Sequence, residues 1–394
     1  MAEIADAVLV RRASNKDATD TRTHGGAPVP LASIAPSPWH ELADRATEPN
    51  GYYLPEWELA VNAFAPGHTG AAALAVWNEA RLIGLLPVVS LWRACRIPLS
   101  AFVSAHPYGT LCTPLLDRDF ADDAVRQLMQ QARQAGAHAL ILRDMSLDGV
   151  AMQTFVGALE RDGLRPRLLH SSLRACLDAT RDADGLLHDA LGAKKLKELR
   201  RQRHRLAEQG AVHFDVARTP DDVASAIEIF LKLEASGWKG ARGTALLQNE
   251  GDARFIRRAA VALAMTGQCE IVTLRTGGTP IAAGIVLRHQ DRAFFFKLGI
   301  DERFAKFSPG VQLTLDLTRH LCADPTIASA DSTASPDHPM INPIWRGRFA
   351  IGNVLIPLRP NDPVVSLIHA ALVSRQSVLD AARRAVRFIR ARQR

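Results

Sequence analysis

The residues best placed to do chemistry lie between Ala293 and Leu313. An aromatic-rich strand ends at Lys297, Leu298 and Gly299, a polar turn follows, and a helix entrance stands at Phe307, Ser308, Pro309, Gly310 and Val311. Ser308 has the side chain of an N-cap, and Pro309 suits the first helical position, where its missing N–H is an orphan in any case. Gly310 leaves the first turn bare, so backbone donors could approach a ligand closely. Free N–H groups at a helix N-terminus attract anions, above all phosphate, and the expectation is a phosphorylated cofactor held here. The competing reading is a turn that only reverses the chain. Val311, Leu313, Leu315 and Leu317 also alternate as a strand would, but Leu313, Leu317 and Leu321 repeat at four behind a cap, which favours the helix.

Three further groups carry candidate chemistry. A lysine leaving an aromatic strand must snorkel out or find an anion, so Lys297 meets a cofactor phosphate or a neighbouring carboxylate. In the Gly-rich loop at 236–244, Glu234 and Lys239 flank Trp238. Such a loop could close over an acceptor, with Trp238 and Lys239 touching it, or Trp238 could anchor the loop on the core. His338, between Asp337 and Pro339, has an unperturbed pKa near neutrality and suits a general base, although a lone loop histidine is commonly inert.

The elements that must position these groups alternate. The segment 1–30 shows no period and is expected to be disordered. Helical patterning appears near residue 42 and at 55–64; strands follow at 71–77 and 82–91, with further candidates at 96–102 and 109–115. Helices at 119–135 and 148–162 bracket a strand at 139–143, and 168–177 looks extended. A basic helix at 186–208 ends at Gly210 and reads as a bridge between domains. Beyond it come a strand at 212–216, a helix at 220–234 capped by Thr219, and a helix at 253–266. Strands at 269–275 and 280–288 pair across Gly277-Gly278, a good hairpin turn. Strands at 327–331 and 354–357, with a helix between them, complete the order. Hairpins with flanking helices predict an α/β (α+β) fold around mainly antiparallel mixed sheets.

A chain of 394 residues suits two domains. With 47% hydrophobic and 23% charged residues it is a globular composition, which excludes a wholly disordered chain. Cys95, Cys112, Cys176, Cys269 and Cys322 show no paired spacing, so neither a disulfide framework nor a metal site is expected. No secretory apolar segment is visible, and a cytoplasmic location is the expectation. The net charge of +7 concentrates at Lys194–Arg205 and in the arginine-rich tail. Such clusters attract phosphates, nucleic acid or anionic lipid. No Walker loop, Gly-x-Ser-x-Gly elbow, His-Glu-x-x-His helix or GxGxxG turn occurs.

The element order, with a turn suited to gripping a cofactor after the third meander strand, resembles the GNAT superfamily. More narrowly it resembles the CelD/BcsL-type acetyltransferases associated with cellulose biosynthesis, relatives of the FemABX transferases. The likeness rests on Glu234 to Gly240 with Gly243 to Ala245, on Phe296-Lys297 with Asp301-Glu302, on Ser308-Pro309-Gly310, and on Asp331-Ser332 with His338 to Ile341 and Trp345. It covers roughly 186–357. The glycine-rich pyrophosphate loop of ordinary GNAT enzymes is absent, with only Ser308-Pro309-Gly310 in its place.

The resemblance implies two GNAT-like lobes, a degenerate one at 31–185 and an acyltransferase lobe at 186–360, followed by a basic amphipathic helix at 361–394. It implies acetyl-CoA or another acyl-CoA as donor, no metal, and a small-molecule or glycan acceptor amine or hydroxyl in the cleft between lobes. Backbone N–H groups at Lys297 to Gly299 would stabilise the oxyanion, with Gly299 letting the strand bulge. Asp331, ending the strand beside the splay, would be the general base, or would only cap the following turn; His338 and Glu234 are the other acid–base candidates. Two alternatives stay open: aminoacyl transfer from tRNA, motivated by the basic helix, and a non-catalytic adaptor. In the adaptor, Val378, Leu379, Ala382, Val386 and Ile389 would rest the last helix on an anionic membrane. DNA is not an expected partner.

Overall fold

The computed structural model describes residues 27–237, 240 and 242–392, without the side chains of 380, 383 and 385–392. Most of the segment expected to be disordered therefore lies outside the described residues. Its last two residues are ordered: Val29–Pro30 form β1, paired with Ala73 and Ala72.

The first part of the chain runs α1 (Pro36–Asp44), α2 (Pro55–Phe64), β2 (Ala72–Asn78), β3 (Arg81–Ser90) and α3 (Leu91–Cys95). It continues through β4 (Phe102–Ser104), β5 (Leu115–Leu116), α4 (Ala121–Gln134), β6 (Ala139–Ser146), α5 (Val150–Arg161) and β7 (Arg167–Asp178). After α6 (Ala183–Ala207) come β8 (Val212–Ala217), α7 (Pro220–Ser236), α8 (Glu250–Met265), β9 (Cys269–Thr276), β10 (Thr279–His289) and β11 (Arg292–Ile300). A 3-10 turn at Glu302–Phe307 leads to α9 (Pro309–Cys322), β12 (Ser329–Asp331), β13 (Gly347–Pro357) and α10 (Pro363–Arg392).

The described strands form one mixed sheet in the order β1-β2-β3-β4-β6-β13-β7-β12-β11-β10-β9-β8, with β5 beside β3. All pairings are antiparallel except β4 with β6 and β11 with β12. The α/β architecture of a large mixed sheet flanked by helices is the expected one. The ranges expected as lobes exchange strands, however. β7, from the first range, pairs with β12, while β13, from the second, lies between β6 and β7. One sheet face packs against α1, α2, α4, α5, α7 and α8, and the other against α3, α6, α9 and α10.

Several boundaries depart from expectation. The strand expected at 96–102 is coil following α3, and β4 starts only at Phe102; 109–115 is mostly coil. No helix separates β12 from β13, where 337–344 form turns, and β13 begins at Gly347 rather than 354. Helix α6 breaks phase at Gly192, whose φ of 72° and ψ of 161° are not helical. That break explains the imperfect leucine stripe, because Leu187 precedes it and Leu196, Leu199 and Leu206 follow it, all buried. It lies along α9 instead of bridging lobes: Gln312 Nε2 donates to Leu199 O at 2.9 Å and Arg203 pairs with Asp316 at 2.7 Å. The hairpin at Gly277 and Gly278 forms as expected, both glycines having positive φ.

At its start, α10 buries Val365 and Ile368 against α3 and the neighbouring strands. Val378 and Ala382 are exposed, while Val386 and Ile389 lie outside the described side chains. No described helix is long and apolar enough to cross a membrane.

Candidate active site

The site is organised by a bulge. β10 and β11 pair Val286 with Phe295 and Ile285 with Lys297, which leaves Phe296 as the extra residue. A one-residue insertion puts two consecutive side chains on one face. Phe295 packs with Trp345 on the α9 side. Phe296 and Lys297 both turn to the other side, where Phe296 meets Trp57 edge-on at 4.8 Å. The bulge expected at Gly299 is therefore at Phe296. Gly299 pairs regularly with Ala283, and its missing Cβ serves a different need: a Cβ there would stand 2.8 Å from Glu234 N, so the glycine lets α7 lie against the strand.

On that face the Lys297 ammonium is 3.6 Å from Glu234 Oε1 and lies over the rings of Phe296 and Tyr108 at 5.5 and 5.9 Å. The neighbouring carboxylate is thus one partner of this lysine. Glu234 is 2% exposed, and its Oε2 accepts from Leu246 N at 3.0 Å. Trp238 and Lys239 lie outside the described residues.

β11 and β12 pair in parallel only from Arg292–Ser329 to Phe294–Asp331; β11 then runs on to Ile300 while β12 stops. This is the expected splay. Thr333, at a φ of 50°, closes it by donating from Oγ1 to Phe295 O at 2.7 Å. Asp331 is 1% exposed and ion-paired with the fully buried Arg174, and its Oδ1 accepts from Thr333 N at 2.9 Å. The turn-capping reading of Asp331 is the one the geometry favours. Arg174 in turn donates to Thr110 O at 2.6 Å and Thr110 Oγ1 at 2.8 Å, and stacks on Phe349. Beside them Tyr52 is fully buried, and its hydroxyl lies near the Thr333 side chain without a well-formed hydrogen bond. Burial first, and then the Asp331 charge, push this phenol's pKa up, so it stays a donor.

The helix entrance differs from expectation in two ways. Ser308 sits in the left-handed region with φ of 53°, and its side chain makes no cap hydrogen bond. Gly310 is buried: a Cβ there would meet Leu298 Cδ2 at 3.0 Å, Met340 Sδ at 3.1 Å and Ile300 Cγ2 at 3.4 Å. Phe307 and Pro309 are buried with it, and Val311 is half-buried. The first turn of α9 is thus covered by the far ends of flexible side chains. His338 is half-buried in the same loop as Met340, and its Nδ1 accepts long bonds from Met340 N and Ile341 N, both at 3.4 Å.

The structure therefore brings Glu234, Lys297 and Gly299 together on one face, and Leu298, Gly310 and Met340 on the other. Sequence reasoning missed Arg174, Tyr52 and Thr333. For Arg174 a signal was present: an arginine between Leu173 and Ala175 in an extended segment needs a carboxylate if that face is buried. Tyr52 and Thr333 offered none, since nothing local marks such a hydroxyl. Among the described residues no group of three or more His, Cys, Asp or Glu is arranged to hold a metal ion.

Residues 193–337 match the family described as an acetyltransferase (GNAT) domain, a span containing β8 to β12 and the splay. That match spans a little over a third of the chain. The whole fold is similar to that of FemX, at 11% identity over 85% of this chain and 98% of that one, with a TM-score of 0.55. It is also similar to the C-terminal domain of a protein assigned as a lysylphosphatidylglycerol synthetase from Agrobacterium fabrum. Identity there is 14%, over 86% of this chain and 96% of that one, with a TM-score of 0.52. A conserved protein of unknown function from Bacteroides thetaiotaomicron aligns at 9% identity over 82% and 98%, with a TM-score of 0.53. At such identities the likeness shows the fold alone. No curated protein matches the sequence.

Proposed function

We propose that the protein is an acyltransferase of the CelD/BcsL type that moves an acyl group from acyl-CoA, acetyl-CoA foremost, to an amine or hydroxyl. The observation that carries this reading is the parting of β11 from β12 after Phe294 and Asp331, inside the segment that matches the GNAT domain. An acyl group laid along the freed edge of β11 meets the bulge at Phe296 and the Tyr52 hydroxyl, a buried donor without a well-formed hydrogen bond. Thr333 must release Phe295 O for this to happen, and the carrier must displace the ends of Leu298 and Met340 from Gly310.

Asp331 and Glu234 have oxygens committed to protein donors, so this reading gives Asp331 the task of holding the splay and His338 that of the base. The test is calorimetric titration with acetyl-CoA. The wild type binds, and Lys297→Gln and Gly310→Ala each weaken binding about tenfold, roughly 1.4 kcal/mol. Failure of the folded wild type to bind, or unchanged affinity in both variants, overturns the reading.

One observation favours a second donor. Lys194, Lys197, Arg201 and Arg205 are exposed along one side of α6 and make no ion pair among the described residues, whereas Lys195 and Arg203 are paired. At 1.5 Å per residue they form a stripe on the order of 16 Å long, suited to a phosphate backbone. Salt-sensitive retention of tRNA in place of acetyl-CoA would move the donor to aminoacyl-tRNA.

A further inference from the structure

At the seam between the two halves of the sheet, away from Gly310, a cavity of about 580 Å³ opens. The first half contributes Glu48, Ser146 and Asp148 to its walls, the start of β11 contributes Asp291 and Arg292, and Phe349 comes from β13. The volume is that of a small-ligand site.

Two features make it more than a recess. Ser146 is 2% exposed, it lines the cavity, and its hydroxyl has no hydrogen-bond partner among the described residues. A hydroxyl with no protein partner, reached only from the cavity, is free to bond a ligand group there. The second feature is the imbalance of charge. Neither arginine on the walls has a carboxylate partner among the described residues: Arg118 donates from Nη2 to Asp44 O at 2.8 Å and from Nε to Arg45 O at 3.2 Å. Arg292 donates from Nε to Ser329 Oγ at 3.1 Å and stacks on Phe349 at 5.1 Å. Of the carboxylates, Glu48 accepts from Ala151 N at 2.7 Å at the start of α5. Asp148 and Asp291 have no ion pair and no side-chain hydrogen bond among the described residues. The walls thus carry three carboxylates (Glu48, Asp148 and Asp291) against two guanidiniums (Arg118 and Arg292), a net negative charge beside the Ser146 hydroxyl and an aromatic ring.

We propose that this cavity binds a compact polar molecule through a protonated amine. Asp148 and Asp291 take the ammonium, Ser146 supplies a further hydrogen bond, and Phe349 packs against the carbon skeleton. An ammonium has three donors and no acceptor, which answers carboxylates with nothing left over. The proposal concerns binding at the seam and stands independently of which donor the splay accepts.

The test has two arms. In Ser146→Cys, a near-isosteric change, labelling by aminoethyl and sulfonatoethyl methanethiosulfonate is followed at residue 146 by peptide mass spectrometry. Relative to free cysteine, the cationic reagent reacts at least about tenfold faster than the anionic one, and Asp148→Asn/Asp291→Asn brings the ratio back towards that of free cysteine. In the wild type, saturation-transfer NMR gives a signal for putrescine and none for its uncharged counterpart butanediol, and the double variant loses it. A ratio no higher than that of free cysteine, no labelling at residue 146 by either reagent, no putrescine signal, or equal signals from the two probes overturns the proposal.

Discussion

In the first half of the sheet, β4 pairs in parallel with β6 through Phe102 and Val103, and the chain then leaves as the coil around Pro107 and Gly109. In the second half, β11 pairs in parallel with β12 through three residues, runs six further, and enters α9. A hydroxyl stands at both partings. Ser104 Oγ accepts from Arg143 N at 2.8 Å in the first, and Thr333 Oγ1 donates to Phe295 O in the second. The difference lies in what backs them. Behind Thr333 stand a buried ion pair and a buried phenol, whereas the coil that follows β4 crosses over and lends Thr110 to that same pair. Two similar partings thus diverge in use: one has become a support for the other.

The largest expected effect tests that asymmetry. Arg174→Leu leaves Asp331 as a buried unpaired charge and costs about 3–5 kcal/mol in urea unfolding. Ser104→Ala removes one hydrogen bond and costs about 1 kcal/mol. Arg174→Leu/Asp331→Leu recovers most of the loss, because removing both charges removes the penalty. Equal costs for Arg174→Leu and Ser104→Ala would erase the distinction.

Acid acts at the join between the halves. His289, on β10, accepts from Asn50 N at Nδ1 (2.8 Å) and donates from Nε2 to Ala43 O (3.0 Å), so a second proton breaks its tie to the first half. Burial holds its pKa down to about 4 from 6.5. The unfolded chain takes up the proton first as pH falls, so stability present above about 6.5 is lost towards 4. By pH 5 the loss is about 2 kcal/mol for this group. His106, also held to about 4 by burial and then by His68, adds in the same direction. Urea midpoints at pH 7 and pH 5 measure the sum, and His289→Gln flattens it. A midpoint that does not fall between these pH values would mean that the join carries no such load.

The smallest effect is the most local. Thr333→Val costs about 1 kcal/mol and speeds amide exchange at Phe296 and Lys297, while Val103 and Ser104 keep their protection. Unaltered exchange at the bulge would show that Thr333 does not hold the second parting closed.

The second half could be read from sequence largely because its signals are local. The Gly277–Gly278 turn that pairs β9 with β10 and the Thr219 cap both act within a few residues, and the cap forms, accepting from Asp222 N at 3.2 Å. What escaped depends on distant partners. The extra residue at Phe296 is set by register against Ile285 and Val286, and Gly299 reads as a bulge residue until α7 is seen against it. Ser308 has the composition of a cap, but the preceding 3-10 turn delivers it in a left-handed conformation that the side-chain bond does not accompany. The position of β13 is the largest omission, since strand order within a sheet leaves no trace in the periodicity of any one strand.

That position bears on how the protein is made. Until Gly347–Pro357 has left the ribosome, β6 and β7 are two bare hydrogen-bonding rims with a gap one strand wide between them. The two rims must wait for that keystone while everything from Asp178 to Gly347 is synthesised, and through that interval they are exposed to mispairing.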